Sequence, residues 1–176
     1  MDMKMFILPF KGLKEGVHHF EFKIDKTFFE VYKNEDIKDV DVKASIKLLK
    51  KSTLLDLHFN FDGKVEVVCD LTNELFDQPI KTELDIIVKF GEIDTHENEN
   101  ILTLPFEANE VKVDHYMYEA IVLALPIKKI HPGVLDGTLK SDLLDKLKEL
   151  QPRENLKNDL DPRWDKLKEL LTDKKI

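Results

Sequence analysis

The chain has 176 residues, enough for one domain with a full hydrophobic core plus a tail. Its single cysteine, Cys69, excludes an internal disulfide, and no second cysteine completes a CxxC metal or redox pair. The net charge of −8 argues against a broad nucleic-acid-gripping surface, which needs clustered Lys and Arg.

That charge is unevenly spread. Residues 1–61 hold 11 basic and 10 acidic side chains, 62–137 hold 6 and 16, and 138–176 hold 10 and 9. The middle segment repels phosphate and suits solubility or a basic protein partner. Any RNA contact is expected from the first third or the tail. No apolar run approaches the roughly 20 residues that span a bilayer. The start, Met1 to Phe6, lacks the basic and apolar stretches of a signal peptide. A cytoplasmic protein without a membrane partner is expected.

In chain order, residues 5–10 read as a first strand that Pro9 ends or holds at an edge. Gly12 and Gly16 bracket a turn. His18, Phe20, Phe22 and Ile24 alternate with polar residues, a half-buried strand. Asp25 is placed to cap a short helical turn containing Phe28, Phe29 and Tyr32. Two further alternating strands follow, over 40–49 and 53–61. Asp62-Gly63 then predicts a tight hairpin turn, with Val65, Val67 and Cys69 on a return strand. The strand Ile80–Phe90 turns Leu84, Ile86 and Val88 inward.

Residues 91–100 are polar and acidic, an exposed loop, with a short strand expected at Ile101–Leu104. At 114–125 the period becomes helical: Asp114 is the expected N-cap and Met117, Ala120, Ile121, Ala124 and Leu125 form one stripe. Pro126 ends that helix. A short extended stretch is expected at Ile127–Ile130. Residues Ser141–Leu150 form an amphipathic helix stopped by Pro152, and Asp161-Pro162 starts another in the favoured way, cap residue then proline. The expected architecture is α+β. It has a mainly antiparallel sheet or partly open barrel of about six strands, one packed helix and a helical C-terminal tail. The β-rich core spans 1–133 and the tail 134–176.

No constellation for catalysis stands out. The six histidines have neither HExxH nor i, i+4 spacing, and no glycine-rich phosphate cradle is present. The carboxylates are scattered and read as solvated faces. Cys69 lies in an acidic setting, which raises a thiol pKa, so it reads as a small buried hydrophobe. No catalytic residue, metal ligand, cofactor or small-molecule substrate is expected. The tail offers Asp161, Pro162, Arg163, Trp164, Lys166 and Lys168 on one helix with Leu167, Leu170 and Leu171. Trp164 either staples this helix to the core or anchors a protein or RNA partner. Both readings need the same apolar stripe.

Four stretches together resemble a known family. They run Phe59-Asn-Phe-Asp-Gly-Lys-Val-Glu-Val-Val-Cys-Asp70, Leu75-Phe-Asp-Gln-Pro-Ile80, Val113-Asp-His-Tyr-Met-Tyr-Glu-Ala-Ile-Val-Leu-Ala-Leu-Pro126 and Asp161-Pro-Arg-Trp-Asp-Lys-Leu-Lys-Glu-Leu-Leu171. Their order and spacing are similar to the bacterial YceD family, named for large ribosomal RNA subunit accumulation. The resemblance implies a part in accumulation or processing of large-subunit rRNA, with that RNA or a ribosomal protein as partner, and implies no catalysis. Family members often carry Cys-x-x-Cys where this chain has Cys69, Asp70, Leu71 and Thr72, and further cysteines after the Leu-Pro segment. Here one thiolate remains, too few for a structural zinc.

Overall fold

The computed structural model describes residues 6–91, 100–139 and 141–150. The chain divides into two compact units, Met1–Lys140 and Ser141–Ile176. Among the described residues of the first, seven strands are present: β1 (Ile7–Pro9), β2 (Gly16–Asp25), β3 (Ile37–Lys50), β4 (Leu54–Val68), β5 (Leu75–Phe90), β6 (Ile101–Leu104) and β7 (Glu110–Lys112). Three helices accompany them: α1 (Lys26–Val31), α2 (Asp114–Ala124) and α3 (Pro132–Leu135). The described part of the second unit is helix α4 (Asp142–Leu150).

Strands β2, β3, β4 and β5 form an antiparallel meander, and β6 adds to β5 in parallel. The end strands β2 and β6 are not paired with each other, so the sheet is open rather than a closed barrel. β1 and β7 make a separate two-stranded antiparallel ribbon. The architecture is α+β and mostly antiparallel, as the alternation predicts.

That alternation sets which face is buried. Ile24, Val42, Ala44, Ile46, Leu48, Leu55, Leu57, Phe59, Phe61, Ile86 and Val88 point to one side and are buried. They join Leu8, Phe28, Phe29, Val111, Val113, Met117 and Ile121 in one core. Fully burying a side chain of this size contributes about 1.5–3 kcal/mol. Asp25 caps α1 as expected: its carboxylate accepts from Phe28 N–H at 3.3 Å.

The structure corrects three local expectations. Asp62-Gly63 is not a hairpin turn, because β4 runs straight through it. Asp62 faces Lys43 on one side and Lys81 on the other, and Gly63 faces Val42 and Ile80. The glycine answers a different need. A Cβ at 63 would run into the Asp41 carbonyl oxygen and lie 2.7 Å from Val42 Cα, so β3 and β4 touch backbone to backbone there. Asp114 is not the N-cap of α2: Val113 is, without a side-chain cap bond. The Asp114 carboxylate instead accepts from the Tyr32 hydroxyl. Ile127–Ile130 adds no strand, and β7, three residues long, has no sequence signal of its own. The acidic loop at 92–99 lies outside the described residues.

Candidate functional site

The six tail residues singled out by sequence, Asp161, Pro162, Arg163, Trp164, Lys166 and Lys168, lie outside the described residues. Cys69 and Asp70, the other motif positions, are described. They begin the β4–β5 turn.

That turn is tightly bonded. Cys69 N–H donates to the Glu74 carbonyl at 2.8 Å, and Asn73 N–H to the Cys69 carbonyl at 2.9 Å. Asn73 takes a left-handed φ of 58°, a conformation asparagine tolerates better than most residues. A second segment is stitched to the turn. Asp70 N–H donates to the Lys129 carbonyl at 2.8 Å. Lys129 N–H returns to Asp70 Oδ2 at 2.6 Å. His131 N–H donates to Cys69 Sγ at 3.3 Å. The His131 ring packs on Phe76, centroids 5.5 Å apart, and its Nδ1 accepts from Gly133 N–H.

Cys69 is therefore more than a small apolar filler, and its ionisation departs from expectation. Burial pushes the thiol up. Hydrogen bonds from the Thr72 side chain and from backbone N–H groups, that of His131 among them, pull it down, and the net direction is down. The acidic flanks seen in the sequence do not decide the matter; short-range donors do. The sulfur is nonetheless fully buried, so no reactant reaches it. Among the described residues, no group of three or more His, Cys, Asp or Glu side chains is placed to hold a metal ion. Hydrogen bonds close this turn, and its work is to tie residues 129–133 to the sheet.

The outward face of the meander is rich in charged side chains. Its outward positions carry ten carboxylates: Glu21 and Asp25 on β2, Asp39 and Asp41 on β3, Asp56, Asp62 and Glu66 on β4, and Asp77, Glu83 and Asp85 on β5. Six lysines share the face: Lys23, Lys43, Lys47, Lys64, Lys81 and Lys89. Several pairs meet across strands: Lys23 with Asp41 at 3.2 Å, Lys43 with Glu21 at 2.9 Å and Lys64 with Asp77 at 2.6 Å. Asp77 is the chief reason the exposed Lys64 ammonium titrates above its ordinary range. At one end Asp39, Glu66 and Asp77 lie abreast on adjacent strands, because Asp39 faces Glu66 and Glu66 faces Asp77. The sequence showed the acid excess of the middle segment. Only the register shows that it shares one surface with acids from the first third. This face disfavours a phosphate backbone.

Residues 57–171 match the family model described as "Large ribosomal RNA subunit accumulation protein YceD". The chain belongs to the YceD family. The YceD match runs from inside β4 through β5, the Cys69 turn and α2 to the tail that holds Trp164. No curated protein matches the chain, and no solved structure does. The YceD description places the chain in ribosome biogenesis, as a factor in accumulation. No described helix is long and apolar enough to cross a membrane.

Proposed function

We propose that this YceD-family chain supports accumulation or processing of large-subunit rRNA as a non-enzymatic assembly factor in the cytoplasm. It acts by binding that RNA or a ribosomal protein. The observation that carries this reading is the family match over residues 57–171, which takes in both the sheet's central strands and the tail. Arg163 and Trp164, with Asp161, Pro162, Lys166 and Lys168 beside them in the sequence, are the proposed tail anchors for the partner. The test is affinity capture of the full chain from cell lysate, with and without nuclease. Enrichment of large-subunit rRNA or of large-subunit ribosomal proteins supports the reading. Recovery of neither overturns it.

A second reading has its own support. The ten carboxylates against six lysines on the outward sheet face favour a basic protein there, docked without RNA contact. Under that reading the captured partner survives nuclease and is released by raised salt.

A further inference from the structure

We propose that a groove at the end of the sheet, beside the β3–β4 turn, binds single-stranded RNA, with Phe106 as a stacking surface for a base and Lys11 and Lys51 as phosphate contacts. This rests on the reading above and deepens it by naming the form of RNA and the residues that hold it.

The groove has a volume of about 460 Å³. It is lined by Lys11, Lys50, Lys51, Phe10, Phe90 and Phe106, together with the turn residues Ser52 and Thr53 and with Ala108. None of these is a carboxylate. In a chain of net charge −8, three lysines around one groove without a lining acid is a local reversal of sign. It contrasts with the outward face, where carboxylates outnumber lysines.

Phe106 is the second observation. It is 78 % exposed, the one aromatic among the exposed large apolar side chains described. It follows Pro105 in a closed turn, where Ala108 N–H donates to the Pro105 carbonyl at 2.9 Å. The ring is thus presented by a short, bonded segment. A bare ring in water gains by covering its face with another π surface. In the same groove, the Phe10 and Phe90 rings pack with centroids 5.4 Å apart.

The lysines divide by role. Lys50 Nζ donates to the Phe10 carbonyl at 2.9 Å and the Leu13 carbonyl at 2.8 Å. It holds the wall of the groove and lends its charge. Lys51 pairs with Asp56 at 2.6 Å in an exposed contact, which a phosphate can displace at little cost. Lys11 is exposed at the rim. Ser52 and Thr53 add exposed hydroxyls within reach of phosphate or ribose groups. Lysines with an uncovered ring suit an unpaired nucleotide, whose base is free to stack while its phosphate meets the ammonium groups. A duplex hides its bases and leaves Phe106 uncovered. An acidic peptide uses the lysines and leaves the ring without a flat partner.

The test is fluorescence anisotropy of the full chain with a labelled, mixed-sequence single-stranded RNA of roughly 12 nucleotides, and with a duplex of the same length. Saturable binding that weakens with salt and prefers the single strand is expected. Phe106→Ala raises Kd about tenfold without lowering the melting temperature. Lys11→Ala with Lys51→Ala lowers the slope of log K against log salt by about 1.4. Lys81→Ala, on the outward face, leaves Kd within about twofold. Kd unchanged by Phe106→Ala and by the double lysine variant overturns the site. So does equal loss from Lys81→Ala, or equal affinity for duplex. Nuclease-resistant capture of a protein that Phe106→Ala abolishes, without RNA binding, also overturns it. Failure of this site is separable from failure of the functional reading. If the chain enriches large-subunit rRNA from lysate and the groove variants enrich it equally, the groove assignment falls and the function stands.

Discussion

Tyr32 and Tyr118 stack face to face, ring centroids 4.1 Å apart and planes 11° off parallel. The pair joins the end of α1 to α2. Hydrogen bonds bracket it: the Tyr32 hydroxyl donates to Asp114 Oδ2 at 3.0 Å, and Asn34 Nδ2 donates to the Tyr118 hydroxyl at 3.1 Å. Burial, then the Asp114 carboxylate, pushes the Tyr32 hydroxyl well above its ordinary pKa. Tyr118→Ala removes the stack and leaves Asn34 without this acceptor, so the unfolding free energy should fall by about 2 kcal/mol. Tyr32→Phe keeps the ring and should cost about 1 kcal/mol. Urea unfolding of Tyr32→Ala, Tyr118→Ala and the combined Tyr32→Ala/Tyr118→Ala chain measures the coupling. Additive losses would show that the rings do not interact.

Gly63 carries the close approach of β3 to β4. Gly63→Val places a branched side chain against the Asp41 backbone, which cannot swing aside as a side chain can. We expect a loss of about 3 kcal/mol or more, read as a lower urea midpoint. Gly12→Ala is the control, because nothing lies within 4 Å of a Cβ there. It should change stability by less than about 0.5 kcal/mol. Equal tolerance at both positions would contradict the packed β3–β4 crossing.

These two cases show what the sequence made legible. Period-2 alternation carries real information about burial, so the inward faces of β2, β3 and β5 were readable residue by residue. Asp62-Gly63 misled because turn chemistry is local, whereas strand pairing is not. β4 has partners on both sides from Leu55 to Val67, and those ladders outweigh a tendency to turn. β7 is fixed by pairing Val111 with Leu8, a contact about a hundred residues distant in sequence. The groove at the β3–β4 turn was illegible for the same reason. It draws on residues 10–11, 50–53, 90, 106 and 108, none of which forms a motif alone. The exposed Phe106 beside Pro105 was the one available signal.

Cys69 sets two effects against each other. Its hydrogen bonds favour thiolate, which speeds reaction, while full burial blocks access. Burial should win. The native chain should react with an aromatic disulfide reagent far more slowly than the urea-unfolded chain, at a rate set by opening of the turn. Fast native reaction would show that the turn stands open. Cys69→Ala also leaves His131 N–H without its acceptor, and should lower the unfolding free energy by about 1–2 kcal/mol.

Asp25 links helix capping to pH. Its hydrogen bond from Thr27, aided by backbone donors, holds the carboxyl below the ordinary range. A carboxyl depressed on folding stabilises the native state above its unfolded pKa of about 3.9, and that contribution is lost as pH falls through the folded value. Asp25→Ala should therefore be about 1 kcal/mol less stable than wild type at pH 7. The gap should narrow below about pH 4. Chemical unfolding of both chains between neutral and acid pH reads it directly. A gap that holds constant would remove the charged cap from the account.

The most direct measurement of the proposed role is the ratio of large- to small-subunit rRNA in cells depleted of this chain, with and without resupply of the wild-type protein. A fall in the large-subunit RNA alone, restored on resupply, is the predicted result. An unchanged ratio with a normal subunit profile would contradict it.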